Sequence, residues 1–334
     1  MPNYHISFWN LENLFDIENS PNRSEKLERA IDSEVEGWTQ VILNQKLARL
    51  TQIISLLNQN QGPDILGVCE VENESVLGEL SQSLNANIAN RNYQVAHHNS
   101  PDRRGIDVAF IYDSNLFRIE QNENNEELIF NHFVLRRTAT RDILQVNFLT
   151  SHSQFENRLV LISNHWPSRR GGTYESNGYR QIAGETLSYF HGRIREINGD
   201  DTAVLAMGDF NDEPFDPSLT QYGLSLRSLT RVINGQSPYF LNLMWPLMEE
   251  GSGTYFFSNL PNMFDQFLAN ENMLKPSSTF RVNLNSIEIN NFDIMVNQNS
   301  DYPTPVRFGR PSNDNLNTDG FSDHFPISIQ IQEV

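Results

Sequence analysis

Short apolar runs rich in β-branched and aromatic residues recur along the whole chain, and this pattern constrains the fold more than any other feature. The runs have the length of β-strands, and Gly, Pro, Asn or Asp bounds many of them. They are Tyr4–Trp9, Ile65–Glu70, Val108–Tyr112, Ile143–Leu149, Leu159–Asn164, Ala203–Met207, Phe264–Ala269 and Pro326–Gln330. Helical periodicity is found in Val41–Leu57, Glu74–Leu84 and Tyr179–Ile197. Many strands with few helices predict an α/β protein with two sheets rather than a regular βαβ alternation.

The chain has 334 residues, of which 38% are apolar, so it can bury a large core. No repeat and no Pro/Gly/Ser-rich linker divides it, and we expect one domain over residues 1–334. No segment reaches the roughly 18 apolar residues of a membrane span. A strand-like run begins at Tyr4, where a signal peptide would have its basic and apolar regions. We expect a cytoplasmic protein without an integral membrane segment or an obligate protein partner, although a removed signal peptide would leave the same sequence.

The formal net charge is −18, which argues against a general electrostatic attraction for nucleic acid. The charge is uneven, however. Residues 101–181 contain ten Arg, no Lys and ten Asp or Glu, so this stretch is neutral. Arginine suits bidentate phosphate contacts better than lysine does. A local phosphate-binding surface and ordinary surface salt bridges both agree with this composition.

Short polar clusters lie at or beside several of the predicted strands. They are Trp9–Asn13, Glu70–Asn73, Asn164–Trp166, Gly208–Asp212, Phe264–Gln266 and Ser322–His324. Reacting groups in sheet proteins commonly gather at one end of the strands. Carboxylate and amide oxygens without thiolates suit Mg²⁺ or Mn²⁺. With two imidazoles they are the parts that phosphodiester hydrolysis needs, although each cluster alone also fits a turn or a capped loop.

The order of these motifs resembles the endonuclease/exonuclease/phosphatase superfamily. That group includes pancreatic-type deoxyribonucleases, abasic-site endonucleases, neutral sphingomyelinases and inositol-polyphosphate phosphatases. The resemblance implies an α/β fold, a four-layer α/β/β/α sandwich with two packed mixed β-sheets and the site at one edge. It extends from Trp9 to Phe325, and the matching motifs are Trp9-Asn10-Leu11-Glu12, Val68-Cys69-Glu70, Gly208-Asp209-Phe210-Asn211, Phe264-Asp265 and Ser322-Asp323-His324.

The resemblance also implies which residues bind the metal. Glu70 would be the principal ligand of Mg²⁺, with Mn²⁺ as a substitute. Asn10 and Glu12 would lie beside it, with Glu12 in place of the Asp that several relatives carry. Asp323 would touch a second metal position. These four residues are the predicted metal ligands.

The predicted catalytic residues follow from the same resemblance. Asp209 would activate the attacking water, and Asn211 would bind an oxygen of the scissile phosphate. His324 would stabilise the developing charge, and Asp265 would orient its ring.

A further histidine, His165, resembles the general acid of the deoxyribonuclease and sphingomyelinase branches, whereas abasic-site relatives carry a Tyr near the leaving group. A catalytic imidazole needs a partner that fixes its tautomer. Asp107 is the predicted partner, because it occupies a comparable strand position.

Four arginines are predicted to contact the substrate. Arg169 and Arg170 lie on a glycine-flexible loop just after His165. Arg180 begins a helix soon afterwards, and Arg104 precedes Asp107. A solvated loop without a binding role is an equally good interpretation for the first two.

We therefore expect a divalent-metal-dependent phosphodiester hydrolase, with an endonuclease or exonuclease acting on nucleic acid as the favoured interpretation. A phosphomonoesterase or a sphingomyelinase-like phospholipid diesterase is the alternative. A non-catalytic binding module is disfavoured, because Glu70, Asp209 and His324 are all present. A Zn²⁺ hydrolase is disfavoured, because the sequence has no closely spaced His/Cys ligand motif.

Overall fold

The computed structural model describes residues 1–135, 140–151, 156–249 and 251–334. The strands are β1 (Asn3–Leu14), β2 (Ile65–Val71), β3 (Tyr93–His97), β4 (Asp107–Asp113), β5 (Phe117–Ile119), β6 (Ile129–His132), β7 (Ile143–Thr150), β8 (Arg158–His165), β9 (Ala203–Asp209), β10 (Ser225–Leu226), β11 (Phe240–Asn242), β12 (Tyr255–Phe257), β13 (Leu260–Asn262), β14 (Asp265–Asn270), β15 (Phe280–Val282), β16 (Glu288–Ile289), β17 (Val296–Asn297), β18 (Thr304–Pro305) and β19 (Ile327–Glu333). The α-helices are α1 (Glu25–Val35), α2 (Gln40–Asn60), α3 (Glu74–Asn87), α4 (Thr173–Asn198) and α5 (Leu229–Asn234). Every strand and helix predicted from the sequence overlaps one of these elements.

Two large mixed sheets form the centre of the molecule. The first has the strand order β15-β19-β1-β2-β4-β3, and the second has the order β10-β11-β14-β9-β8-β7-β5. Strand β16 also pairs with β19, and β6 pairs with β7. Each sheet has a central parallel pair, β1 with β2 and β8 with β9. The strands that flank these pairs run antiparallel to them.

The two sheets pack face to face, and helices cover their outer faces. Alternate residues of β1 show this arrangement, because Ile6 and Phe8 pack between the sheets whereas Trp9 belongs to the cluster on the helix side. Helices α1, α2 and α3 contribute to that outer cluster. Helix α4 covers the second sheet with Ala183 and Leu187. The layers follow the order α/β/β/α, which confirms the predicted sandwich.

Side-chain caps set the starts of the first three helices. Ser24 accepts a hydrogen bond from the backbone of Leu27, Thr39 from that of Ile42, and Asn73 from that of Val76. The regular part of α2 ends before Leu57, which is extended, and Asn58 and Gln59 after it have left-handed backbone angles. Within the described ranges, none of the helices is both long and apolar enough to cross a membrane.

Candidate active site

Three of the predicted catalytic side chains lie side by side on neighbouring strands of the second sheet. His165, the last residue of β8, pairs with Asp209, the last residue of β9. Asp209 in turn pairs with Asp265, the first residue of β14. Because β14 is antiparallel to β9, the start of one strand lies at the end of the other. The register therefore brings residues separated by 100 positions of sequence to one edge of the sheet.

The first sheet brings Asn10 and Glu70 to the same edge. The pairing of β2 with β4 is irregular between Cys69 and Val71, and that of β1 with β2 is irregular after Asn10. Such irregularities redirect side chains near active sites. Glu70 has a positive φ of 60°, a backbone angle that non-glycine residues adopt at some cost, and its carboxylate accepts a hydrogen bond from the backbone of Asn13.

Asp209 lies at the centre of the site and is almost fully buried. Its Oδ1 accepts a hydrogen bond from the backbone of Asn211, and its Oδ2 accepts one from Nδ2 of Asn10 at 3.1 Å. The same Oδ2 lies 3.7 Å from Nε2 of His165 and 3.9 Å from Nε2 of His324. The pKa of Asp209 is raised to about 6, mainly by burial. The negative charges of Asp265 and Glu70 raise this pKa further, and the charge of His324 lowers it.

The structure joins His324 to Asp265, as the sequence predicts. The two side chains are buried, and Nδ1 of His324 lies 2.7 Å from Oδ2 of Asp265. Burial alone would lower the pKa of this imidazole, but the charge and hydrogen bond of Asp265 raise it to about 10. Trp9 fixes the backbone beside the ring by donating to the carbonyl of His324. His324 is therefore a positively charged group that faces Asp209.

His165 has a partner that the sequence did not indicate. The guanidinium of Arg141 lies 2.7 Å from Nε2 of His165 and also donates to the carbonyl of Trp166. Since a guanidinium can only donate, Nε2 must be the unprotonated nitrogen. Burial, reinforced by the charges of Arg141 and Arg104, lowers the pKa of His165 well below its usual range. Burial lowers the pKa of Arg141 to about 10, so at neutral pH Arg141 carries the charge and His165 is neutral.

The predicted pairing of Asp107 with His165 is wrong. Oδ2 of Asp107 lies 3.0 Å from Nε2 of His97, and its Oδ1 accepts a hydrogen bond from the backbone of Ser100. Asp107 therefore anchors the segment that leads to Asp102, whose carboxylate lies 3.7 Å from the guanidinium of Arg141. Through this segment Asp107 acts on the site only indirectly.

Glu12 and Asp323, two of the predicted metal ligands, face Arg307. Arg307 donates from Nε to Oε1 of Glu12 at 2.8 Å. Nη2 of Arg307 lies 3.3 Å from Oδ2 of Asp323. The backbone amides of Phe308 and Gly309 also donate to Glu12. Both carboxylate oxygens of Glu12 thus have protein partners.

A cleft of about 750 Å³ opens in front of Asp209. Arginines and aromatic rings line it together with the catalytic groups. The arginines are Arg104, Arg169, Arg170, Arg307 and Arg310, and the rings are Phe15, Tyr255, Phe257 and Phe264. Two further arginines of the stretch 101–181, Arg136 and Arg137, lie outside the described residues.

The four arginines predicted to bind substrate differ in their surroundings. Arg170 is exposed and makes no ion pair with any described residue, and Arg104 is partly exposed. Arg169 donates to the carbonyl of Asn211 and to the carboxylate of Asp212, so it also supports the catalytic loop. The prediction for Arg180 is corrected. Its side chain is fully buried, donates to the carbonyl of Thr173 in the first turn of its own helix α4, and does not line the cleft.

The residues at the centre of the site suit a hard divalent cation. Asp209, Asp265 and His324 each offer a ligand atom within 4.8 Å of the others. Asp265 engages Nδ1 of His324, so this imidazole could offer only its Nε2 to a cation. Glu70, with the amide of Asn10 nearby, is the better candidate. A cation there would offset the repulsion between Glu70 and Asp209 that helps to raise the pKa of Asp209.

Comparison with known structures shows similar folds. A humanized D. rerio TDP2 with 14 mutations is 13% identical, with a TM-score of 0.57 and 99% of each chain covered. D. rerio TDP2 complexed with single strand DNA product is 14% identical, with a TM-score of 0.56 and 99% of each chain covered. A mannosyl-6-phosphatase from Bacteroides thetaiotaomicron VPI-5482 is 14% identical, with a TM-score of 0.54, and the match covers 98% of this chain and 99% of the other. At these identities the similarity shows the fold alone.

The sequence itself gives the stronger assignment. No curated protein matches it. The model of the Endonuclease/Exonuclease/phosphatase family, however, matches residues 5–333, nearly the whole chain. This match confirms the resemblance of the motifs, and members of the family hydrolyse phosphate esters with the help of divalent metals. The chain belongs to the endonuclease/exonuclease/phosphatase family and is a metal-dependent phosphoesterase.

Proposed function

We propose that this phosphoesterase is a Mg²⁺-dependent phosphodiesterase that cleaves single-stranded nucleic acid. The observation that carries the proposal is the position of Asp209, a buried carboxylate within 4 Å of Asn10, His165 and His324 at the floor of the cleft. A carboxylate that faces a charged imidazole can take a proton from water while the imidazole stabilises negative charge on the phosphate.

Asp209 is the proposed base. Its raised pKa of about 6 makes it a better proton acceptor than an ordinary Asp while it remains ionised at neutral pH. The backbone of Asn211 and the amide of Asn10 hold its two oxygens in fixed directions. An attacking water bound to Asp209 would therefore be both oriented and deprotonated.

His324 is the proposed group that stabilises the phosphate in the transition state, because Asp265 keeps it charged. Arg141 is buried beside His165 and does not line the cleft, so its charge would act on the phosphate only from behind that ring. Because His165 is neutral and its Nε2 accepts from Arg141, a role as a general acid would require Arg141 to move away and Nε2 to take up a proton first. Until then, His165 positions Arg141.

The proposed metal site consists of Glu70 and Asn10, next to Asp209. Bound Mg²⁺ or Mn²⁺ would neutralise the phosphate and stabilise the leaving oxygen. The backbone of Asn13 donates a hydrogen bond to the carboxylate of Glu70, which supports this position by limiting the movement of the carboxylate.

The walls of the cleft favour a nucleic acid with unpaired bases. Arg170 and Arg104 offer positive charge for backbone phosphates. Phe257 is 67% exposed and offers a ring on which a base can stack. A net charge of −18 disfavours a long duplex contact, and a short single strand needs few phosphate contacts. The similar fold of D. rerio TDP2, complexed with single strand DNA product, agrees with this choice.

A phosphomonoesterase is the second candidate. The compact cleft with several arginines also suits one terminal phosphate, and the fold is similar to that of a mannosyl-6-phosphatase.

A substrate panel distinguishes these candidates. The purified chain with Mg²⁺ is given an end-labelled single-stranded oligonucleotide, supercoiled plasmid, a sugar 6-phosphate and sphingomyelin vesicles, each with an EDTA control and with Asp209→Asn. The proposal predicts that the oligonucleotide has the highest kcat/KM and that Asp209→Asn abolishes its cleavage. Faster release of phosphate from the sugar ester, with an intact oligonucleotide, would replace it by the phosphomonoesterase. Preferred turnover of sphingomyelin would assign a phospholipid diesterase.

A further inference from the structure

Arg307 lines the same cleft as the proposed metal ligand Glu70. Its guanidinium joins two carboxylates that come from distant parts of the chain, Glu12 on β1 and Asp323 just before β19. The Arg307 nitrogens lie 2.7 and 2.8 Å from the same oxygen of Glu12, and one of them lies 3.3 Å from Asp323.

The protein holds Glu12 in this position from more than one direction. Glu12 is 1% exposed, and its second oxygen accepts the backbone amide of Phe308, the residue after Arg307. The amide of Gly309 donates to the first oxygen. The loop 307–309 therefore wraps around the Glu12 carboxylate, and Arg307 cannot leave Glu12 without uncovering a buried charge.

A second fixed cation lies behind this pair. Lys46 on α2 is fully buried and donates from Nζ to the carbonyl of Phe321, two residues before Asp323. Its ammonium lies 4.8 Å from the ring centre of Phe308. Glu12 and Asp323 bring two carboxyl groups to this place, and Arg307 and Lys46 bring two basic side chains from the protein itself.

We propose that Arg307 takes the place of a second divalent ion, so that the enzyme binds one metal, at Glu70, and uses Glu12 and Asp323 to hold Arg307. This inference rests on the metal dependence proposed above. A second Mg²⁺ between Glu12 and Asp323 would have to share their oxygens with a guanidinium of the same sign, and the two cations would repel each other. Arg307 also lines the cleft, with 52% of its side chain exposed, so it presents its charge to the substrate.

The stoichiometry of Mn²⁺ binding tests this proposal without any substrate. Mn²⁺ is titrated into the metal-free chain, and bound ions are counted by calorimetry and by electron paramagnetic resonance of the free ion. Wild-type protein should bind one Mn²⁺ per chain. Arg307→Met should bind two, the second more weakly, because it frees the carboxylates of Glu12 and Asp323. Arg307→Lys, which keeps the charge, should return the count to one.

Arg310→Met is the matched control. Arg310 lines the same cleft but pairs with Glu34, so its removal should leave the count at one. Two ions of similar affinity in the wild type, or one ion in a folded Arg307→Met, would overturn the role of Arg307 alone. If Arg307→Met does not fold, the ion counts of the wild type and of Arg307→Lys test the proposal. Two ions of similar affinity in either protein would overturn it. No bound ion in the wild type would refute the proposed metal centre itself.

Discussion

Replacing His191 should remove a defined part of the acid sensitivity of this fold. His191 lies on α4, is fully buried against the second sheet, and stacks on Phe240 with the ring centres 4.0 Å apart. Burial, reinforced by the charge of Arg195, lowers its pKa to about 3. The folded protein thus keeps this ring neutral at pH 5, whereas the unfolded chain, with a histidine pKa of about 6.5, binds a proton.

The size of the effect follows from proton linkage. Because the unfolded state binds more protons, stability falls as the pH falls from about 6.5 toward 3. At pH 5 the protonation of an unfolded histidine stabilises the unfolded chain by about 2 kcal/mol, and at pH 7.5 by about 0.1 kcal/mol or less. His191 should therefore account for about 2 kcal/mol of the stability lost between these two pH values.

Urea unfolding at pH 7.5 and pH 5 measures this difference for the wild type, His191→Phe and the control His98→Asn. His191→Phe should lose about 2 kcal/mol less than the wild type between the two pH values, whatever its own stability. His98 is exposed, so its replacement should leave the loss unchanged. Equal losses in the wild type and in His191→Phe would show that the ring is protonated in the folded state and would refute the reasoning.

Three further changes test the site. Asp265→Asn should lower kcat about tenfold or more at pH 7.5, because His324 without its carboxylate partner returns toward a pKa of about 6.5 and loses most of its charge; partial recovery of kcat at pH 6 checks this cause, and an unchanged kcat at pH 7.5 would contradict it. Gly208→Ala should destabilise the fold by about 1–3 kcal/mol, because its Cβ would lie 2.3 Å from the carbonyl oxygen of Asn164; an unchanged urea midpoint would disprove this close approach. Arg170→Ala should raise KM for an oligonucleotide several-fold at constant kcat, and an unaffected KM would assign Arg170 to the solvent.

The sequence predicts the positions of the catalytic motifs because each lies at the end of an apolar run. Strand ends are readable from local pattern, and parallel neighbours place them at one edge. The pairing of His324 with Asp265 was accessible only through the resemblance, since 59 residues separate them. Helix α1 was missed because its 11 residues are mostly polar, and among those whose side chains the structure describes only Ile31 and Val35 are buried.

The missed partners are long-range contacts. Glu12 and Arg307 are 295 positions apart, and no spacing rule links them. The contact of Arg141 with His165 could have been predicted only weakly. Arg141 lies just before β7, and β7 begins beside the end of its antiparallel neighbour β8. Any charged residue at that position approaches His165. The error over Asp107 has the opposite cause, since it lies at the expected strand end but His97 on the adjacent strand β3 is nearer.

The most direct test of the proposed activity is single-turnover cleavage of a labelled single-stranded oligonucleotide by the wild type, Glu70→Gln and Asp209→Asn, with Mg²⁺ and with EDTA. Circular dichroism and urea midpoints establish that each variant is folded. The wild type should cleave only with metal, Asp209→Asn should lose about 100-fold or more at every Mg²⁺ concentration, and Glu70→Gln should need more Mg²⁺ for half-maximal rate. Cleavage that survives EDTA, or a folded Asp209→Asn that cleaves like the wild type, would contradict the assignment of this site.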